Sequence, residues 1–496
     1  MYDARDSSMP EVNVSEIRRA SVLSKPLPPL CVDLDGTLLQ TDTLVESIVA
    51  LAITPAIFLK LPQAFSAGRA YFKDRIAAEL IPDVALLPYN KRLLAYLQEQ
   101  KKIGRYLVLA TAANRRIANA VAAHLDLFDE VLASDETVNL KGAAKAEALH
   151  RRFPEGFVYA GDSKADLDVW PRAQAAIVVG GSAKTHAAAR KLVPIEFETG
   201  PLPIFKPALR AMRPHQWVKN CLVFVPILMA HAEWDIASWI GGIVAFVAFC
   251  AVASGIYLLN DLADLSADRQ HPRKRFRPLA SGALPLQHGL ALSAVLLAGG
   301  LTLAGWFGII NIVLLYASMS IAYSIRLKEF PLVDVFMLAA LYTIRLVTGG
   351  LATGHILTLW LFNVSAFLFL DLAILKRVGE LLAVAKSPGQ VMARRGYQPS
   401  DTLMLQMLGS GAGFASCAML ALFVQADTTT ASYHSPYLLW GLVPLMLFWQ
   451  CRLWLATTRG QMHDDPIVYA ARDRVSWFVG ACIVFLLLAA KTGFIL

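Results

Sequence analysis

Up to about residue 205 apolar and charged positions alternate along the chain; beyond it apolar residues gather into long runs parted by short polar loops. This change of texture predicts a water-facing domain followed by a membrane domain. In the first part, short apolar stretches run into polar turns and then into helical periodicity, as in LPPLCVDLDGT (27–37), GRYLVLATAAN (104–114) and VYAGDSKAD (158–166). Repeated strand, turn and helix units predict an α/β doubly wound parallel sheet whose functional residues sit at strand C-termini. In the second part, about nine runs approach the roughly 20 apolar residues a transmembrane helix needs. They lie near 217–232, 237–259, 286–303, 306–324, 332–352, 357–375, 403–424, 436–455 and 475–495. The expected organisation is a polar tail over 1–27, an α/β domain over 28–200 with a helical cap over about 42–90, and an all-α membrane bundle over 205–496.

Composition and charge sharpen this picture. With 56% hydrophobic residues and a mean hydropathy of +0.48, the chain is no ordinary soluble assembly. Its net charge of +8 does not call for nucleic acid, because the basic residues of the second half lie at the ends of apolar segments. The loops around 269–277, 326–328, 376–395 and 452–474 are basic, whereas HAEWD (231–235), WFG (306–308), GLATGHI (350–356) and ADTTTASYHSPY (426–437) hold no Lys or Arg. That asymmetry predicts a multi-pass inner (plasma) membrane protein with the basic loops and the N-terminal domain in the cytoplasm. The first 29 residues have no apolar core and do not read as a signal peptide. Cys31, Cys221, Cys250, Cys417, Cys451 and Cys482 show neither a CxxC pair nor zinc-like spacing.

The DLDGT turn places Asp33 and Asp35 two residues apart, the spacing at which one carboxylate can attack phosphorus while the other protonates the leaving oxygen. Gly36 permits the tight turn, and Thr37 is expected to cap the next segment. Thr111 ends the strand Tyr106–Ala110, Lys145 or, failing it, Lys141 opens a helix, and Asp162 and Asp166 follow a third strand. These four stretches, in this order, resemble the haloacid dehalogenase-type phosphatases. The resemblance implies Asp33, Asp35, Thr111 and Lys145 as catalytic residues and Asp33, Asp35, Asp162 and Asp166 about Mg2+. The cap stretch LVESIVALAITPAIFLKL (44–61) is unusually apolar. It either buries its face on the domain or, through residues such as Ile48 and Phe58, touches the bilayer or the second domain.

The densest chemistry is NDLADLSADRQHPRKRFRPLASGALP (260–285). On a helix Asn260, Asp264 and Asp268 share a face, with Asp261 one residue round, an arrangement of hard oxygen ligands that collects Mg2+. The basic cluster Arg273, Lys274, Arg275 and Arg277 can then hold phosphate charge. The segment resembles the first Asp-rich motif of UbiA-type prenyltransferases, in particular the decaprenyl-phosphate phosphoribosyltransferase branch. RPHQWVKN (213–220), YSIRLKEFPLVD (323–334), LKRVGEL (375–381) and MHDDPIVYA (462–470) are similar to later motifs of that branch. The resemblance implies Asp261 and Asp264 as catalytic residues and Asn260, Asp261, Asp264 and Asp268 as metal ligands. It implies Lys219, Arg275, Arg277, Tyr323, Lys328, Asp334, Arg345, Lys376 and Arg377 as substrate-binding residues. Arg345 and Asp371 lie inside apolar runs, where an unpaired charge is costly, so Arg345 is expected to pair with Asp334 or Asp371 or to meet a lipid phosphate.

By that resemblance the second half moves 5-phosphoribose from phosphoribosyl diphosphate to a polyprenyl phosphate, and the fused phosphatase removes the remaining 5-phosphate. A prenyltransferase joining a polyprenyl diphosphate to an aromatic acceptor, and a transporter or scaffold with an inactive domain, are the alternatives. A homo-oligomer is left open.

Overall fold

The computed structural model describes residues 27–52, 69–230, 235–355, 357–385, 396–426, 433–462 and 465–492. The chain divides into two compact units, one comprising Met1–Pro207 with Asp261–Gly289 and the other Ala208–Asn260 with Leu290–Leu496. The Asp-rich segment, which lies in sequence among the membrane helices, thus belongs to the first unit.

In the first unit β1 (Leu30–Val32) leads into helices α1 (Thr43–Ala52), α2 (Arg69–Glu79) and α3 (Lys91–Lys102). There follow β2 (Leu107–Asn114), α4 (Arg115–Leu125), β3 (Glu130–Ser134), α5 (Ala143–Arg152), β4 (Val158–Gly161), β5 (Ala175–Val178), α6 (Ala183–Leu192) and β6 (Ile195–Glu198). The strands form one parallel sheet in the order β3-β2-β1-β4-β5-β6. Both faces are covered, which is why LCV, VYAG and AAIV are continuous apolar runs. Leu30, Val32, Leu107 and Leu109 pack on Leu93, Leu97, Ile117 and Val121 on one face. Cys31, Val108, Tyr159 and Val178 pack on Leu149, Trp170 and Ala189 on the other. Sheet order reverses at β1, which is flanked by β2 and β4, and this is where an open α/β sheet presents its crevice. The cap region holds α1, α2 and a short 3-10 turn, Val84–Leu86; residues 53–68, among them Phe58, lie outside the described residues.

The second unit begins within a short helix, Phe205–Ala211, followed by a 3-10 helix, Pro214–Phe224, and α7 (Val225–Met229). The run expected near 217–232 is therefore not one membrane helix. Pro214 and Pro226 open its two pieces, and an 11-residue 3-10 helix is unusually long. Then come α8 (Ile236–Ala263), which passes into the Asp-rich helix α9 (Leu265–Gln270) of the first unit, α10 (Leu286–Trp306), α11 (Ile310–Ile325), α12 (Val333–Thr353) and α13 (Leu359–Ala385). The chain ends with α14 (Thr402–Gln425), α15 (Leu442–Thr458), α16 (Pro466–Ala470) and α17 (Arg474–Thr492). Among the described residues seven helices are long and apolar enough to cross a membrane: α8, α10, α12, α13, α17, and α14 and α15 with their leading turns from Pro399 and Pro436. The remaining expected run, α11, is an apolar helix of 16 residues.

Candidate active sites

At the crevice edge of the sheet, Asp33 directly follows β1, Asp162 directly follows β4, and Thr111 lies inside β2, which extends to Asn114. One ligand oxygen from each of Asp33, Asp162 and Asp166 lies within 4.8 Å of the others. Gly36 (φ 78°) makes this approach possible, since a Cβ there would stand 2.3 Å from Asp162 Oδ2. Thr37 does not cap the segment after it; its hydroxyl donates to Asp162 Oδ1 (3.3 Å). Lys145 Nζ sits 3.0 Å from Asp33 Oδ1, whereas Lys141 is exposed. Lys145 also donates to Tyr159 Oη (2.8 Å), which donates in turn to Asp166 Oδ1 (2.8 Å). Asp166 Oδ2 accepts from the backbone N–H groups of Asp162 and Ser163 and from the Ser163 hydroxyl. Asp166 thereby fixes the turn that carries Asp162.

Burial pushes the Asp33 and Asp162 carboxyls above their usual range, with Lys145 opposing the shift at Asp33 and Asp166 adding to it at both. Three carboxylates this close carry more negative charge than Lys145 alone offsets, and that donor set fits a divalent cation. Asp35, also expected at the metal, is turned away from that cluster: Oδ1 accepts from Thr43 N (2.8 Å) and Oδ2 from the Thr43 hydroxyl (3.3 Å) at the start of α1. Burial, then Asp42, pushes Asp35 up to about 8, the protonation a general acid needs near neutrality.

The Asp-rich segment departs from the expected single helix. It breaks at Asp264 (φ −96°, ψ 15°), so Asn260, Asp264 and Asp268 do not line one continuous helical face. The reason is a non-local pairing: Arg277 Nη1 reaches both Asp261 Oδ1 (3.0 Å) and Asp268 Oδ2 (2.6 Å), and both carboxylates are buried. Two carboxylates converging on one cationic nitrogen form a donor set that also suits a divalent cation. Asp264 is half-buried, and Arg275 is exposed with its guanidinium over the Phe276 ring (4.9 Å).

In the second unit two buried polar clusters hold most of the expected substrate-binding residues. Asp465 Oδ2 receives Lys219 Nζ (2.7 Å) and Lys376 Nζ (3.1 Å), and Tyr342 Oη donates to the same carboxylate (2.8 Å). Burial alone would raise the Asp465 carboxyl; Lys219 and Lys376 hold it well below the usual carboxylate range. In the other cluster Arg377 grips Asp334 through Nε (2.6 Å) and Nη2 (2.9 Å), and Tyr323 Oη donates to Asp334 Oδ1 (2.8 Å). Arg345 pairs with neither Asp334 nor Asp371. It donates to Asn220 Oδ1 (2.8 Å), to the Leu341 carbonyl and to Tyr316 Oη (3.1 Å), beneath the Tyr316 ring. Asp371 instead accepts from Trp454 Nε1 (2.8 Å). Asn260 Nδ2 donates to the Ser324 hydroxyl (2.8 Å), and Lys328 is half-buried in the turn Leu327–Glu329.

Residues 221–466 match the UbiA prenyltransferase family and residues 30–169 the haloacid dehalogenase-like hydrolases. An uncharacterized protein, y4nM, of Sinorhizobium fredii is 35% identical over 481 residues, covering 95% of this chain and 92% of its own. The chain belongs to the UbiA prenyltransferase family. Its N-terminal part is a haloacid dehalogenase-like domain. The nodulation protein NoeC of Azorhizobium caulinodans is 34% identical over 268 residues (53% of this chain, 86% of that protein). A decaprenyl-phosphate phosphoribosyltransferase of Mycobacterium tuberculosis is 32% identical over 293 residues (56% of this chain, 94% of that protein).

Two residues of this UbiA-family protein stand out only in three dimensions. Asp465 lies in the MHDDP string but reads there as a helix cap, a role it also fills by accepting from Ile467 N (3.2 Å); its neighbours His463 and Asp464 lie outside the described residues. Lys73, on the cap helix α2, has no motif, yet its Nζ donates to the carbonyl of Ala112 (2.8 Å), next to Thr111, and burial draws it below the usual lysine range. Lys73→Ala is expected to raise KM for a phosphate ester about tenfold with kcat changed less than about twofold, the loss of one charge-assisted contact. Steady-state phosphate release checks it. Arg377→Ala removes the two-pronged ion pair of Asp334, which is fully buried. Breaking such a pair costs about 3–5 kcal/mol, so the thermal midpoint of the solubilised protein should fall, and Arg377→Lys should recover part of the loss.

Proposed function

We propose that the UbiA half transfers 5-phosphoribose from phosphoribosyl diphosphate to a polyprenyl phosphate and that the N-terminal half then removes the 5-phosphate from the product. The observation that carries the first step is the kinship with the phosphoribosyltransferase, which spans nearly all of that relative and takes in the Asp-rich segment. A donor with three phosphates needs many cations, and Arg275 and Arg277 stand on the Asp-rich segment itself. In the reaction an oxygen of the lipid phosphate bonds to C1 of the ribose as the C1–O bond to diphosphate breaks. Asp261 and Asp268 would hold Mg2+ for the transfer, and Asp33, Asp162 and Asp166 for the hydrolysis, where the ion supplies charge that stabilises phosphate oxygens.

For the second step Asp33 attacks the 5-phosphorus, the P–O5 bond breaks, and Asp35 delivers its proton to O5. Water then cleaves the aspartyl phosphate, with Asp35 taking the proton back, and phosphate leaves. Thr111 and Lys145 hold the phosphoryl oxygens, and Lys145 also orients Asp33. Support for joining the two steps comes from the fusion itself and from the Lys and Arg distribution, which favours a cytoplasmic N-terminal domain in a plasma-membrane protein. Incubating the purified full chain with Mg2+, polyprenyl phosphate and radiolabelled phosphoribosyl diphosphate tests the reading. Lipid-linked ribose without its phosphate is expected. No label in the lipid fraction, with product formed instead when a polyprenyl diphosphate and an aromatic acceptor are supplied, overturns it.

A further inference from the structure

Helix α1 of the haloacid dehalogenase-like domain grips the Asp-rich segment, and both lie in the first unit. Arg269, one residue after Asp268, makes a two-pronged ion pair with Glu46: Nη2 to Oε1 (2.5 Å) and Nη1 to Oε2 (3.1 Å). The two side chains are only 8% and 5% exposed, so water screens the pair little. Each end is anchored. Arg269 Nε donates to the Ala280 carbonyl (3.1 Å), bracing the two limbs of the Asp-rich segment, and Glu46 accepts from the Thr41 hydroxyl (2.7 Å). Two further contacts fall on the same strip. Gln287 Nε2 donates to Asp42 Oδ2 (2.9 Å), and Gly282 (φ 75°) packs so closely on Gln40 that a Cβ would stand 2.6 Å from the Gln40 Cβ.

We propose that Glu46 is a positioning residue for the transferase: by holding Arg269 it sets the segment in which Asp261 and Asp268 converge on Arg277. The phosphatase domain then has a second task, independent of its own chemistry, as the brace of the partner reaction's metal-binding carboxylates. A metal site is sensitive to the placement of its ligands, and a buried, two-pronged pair fixes both position and orientation. This rests on the transferase reading above, so one measurement needs no substrate.

Glu46→Ala, Arg269→Ala, the double variant and the reversed pair Glu46→Arg with Arg269→Glu are compared in the full-length protein. Hydrogen exchange over 261–289 should rise at least about threefold in each single variant. Formation of ribose-bearing lipid, counted with and without its 5-phosphate, should fall about tenfold, the Mg2+ concentration for half-maximal rate should rise, and the double variant should be no worse than the poorer single one. The reversed pair should regain part of the loss. Hydrolysis of a small phosphate ester by Arg269→Ala, expected at the wild-type rate, reports that the domain is folded. Unchanged exchange in the single variants, or losses that multiply in the double variant, overturns the proposal. If wild-type protein makes no ribose-bearing lipid, with or without its 5-phosphate, while exchange rises as expected, the transferase reading fails and the brace stands.

Discussion

Asp33→Asn protein should make a lipid product that keeps its phosphate. Asparagine preserves the shape of the turn after β1 but cannot attack phosphorus, so phosphatase turnover should drop by about 10³-fold or more. Lys145, 3.0 Å away, loses its charged partner yet keeps its bond to Tyr159 (2.8 Å), so the site stays assembled. Transfer of phosphoribose should continue within about twofold, because the Asp-rich carboxylates are untouched. Mass spectrometry of the lipid fraction decides the matter: the product should be heavier than that of the wild type by one phosphate. A wild-type product that already carries the phosphate, or a variant that makes no lipid product, removes the two-step sequence.

The reciprocal change is Asp261→Ala. Losing one of the two carboxylates that converge on Arg277 should lower transfer by about 10²–10³-fold, the scale on which single groups that stabilise developing charge contribute. Hydrolysis of ribose 5-phosphate should persist, since Asp33, Asp162 and Asp166 form a separate cluster. Excess Mg2+ should restore a few-fold of transfer at most. Equal loss of both activities means that a single metal site serves both reactions.

How far the sequence disclosed these sites depended on distance along the chain. The turn that carries Asp33 and Asp35 was legible because the expected chemistry needs two carboxylates close together; that Asp35 turns to Thr43 and not to the carboxylate cluster was not. Lys145 was preferred over Lys141 on the motif; the physical reason lay outside it, in Gly142, whose positive φ (56°) stands at the start of α5, where Lys145 is buried. Spacing placed Asn260, Asp264 and Asp268 on one helical face, but the helix breaks because Arg277, 16 residues from Asp261, gathers Asp261 and Asp268. Arg345 was expected to find a carboxylate and found an amide and a tyrosine, Asn220 and Tyr316, 125 and 29 residues away. Hydropathy marked the membrane helices well. It failed at 217–232, where the run, with Pro226 inside it, divides into the end of a 3-10 helix and a short α-helix.

The ion pair between Glu46 and Arg269 spans 223 residues of chain, and that separation sets an order of events during synthesis. At about 5–20 residues per second, Arg269 follows Glu46 by roughly 10–45 s. The other five strands of the sheet, complete by Glu198, are made in that interval, as is the membrane helix Ile236–Ala263. A sheet of this size has ample time to close first. The clamp is therefore a late event that can form only after the ribosome has delivered a transmembrane helix, and Glu46 spends that wait as a carboxylate on a newly folded surface.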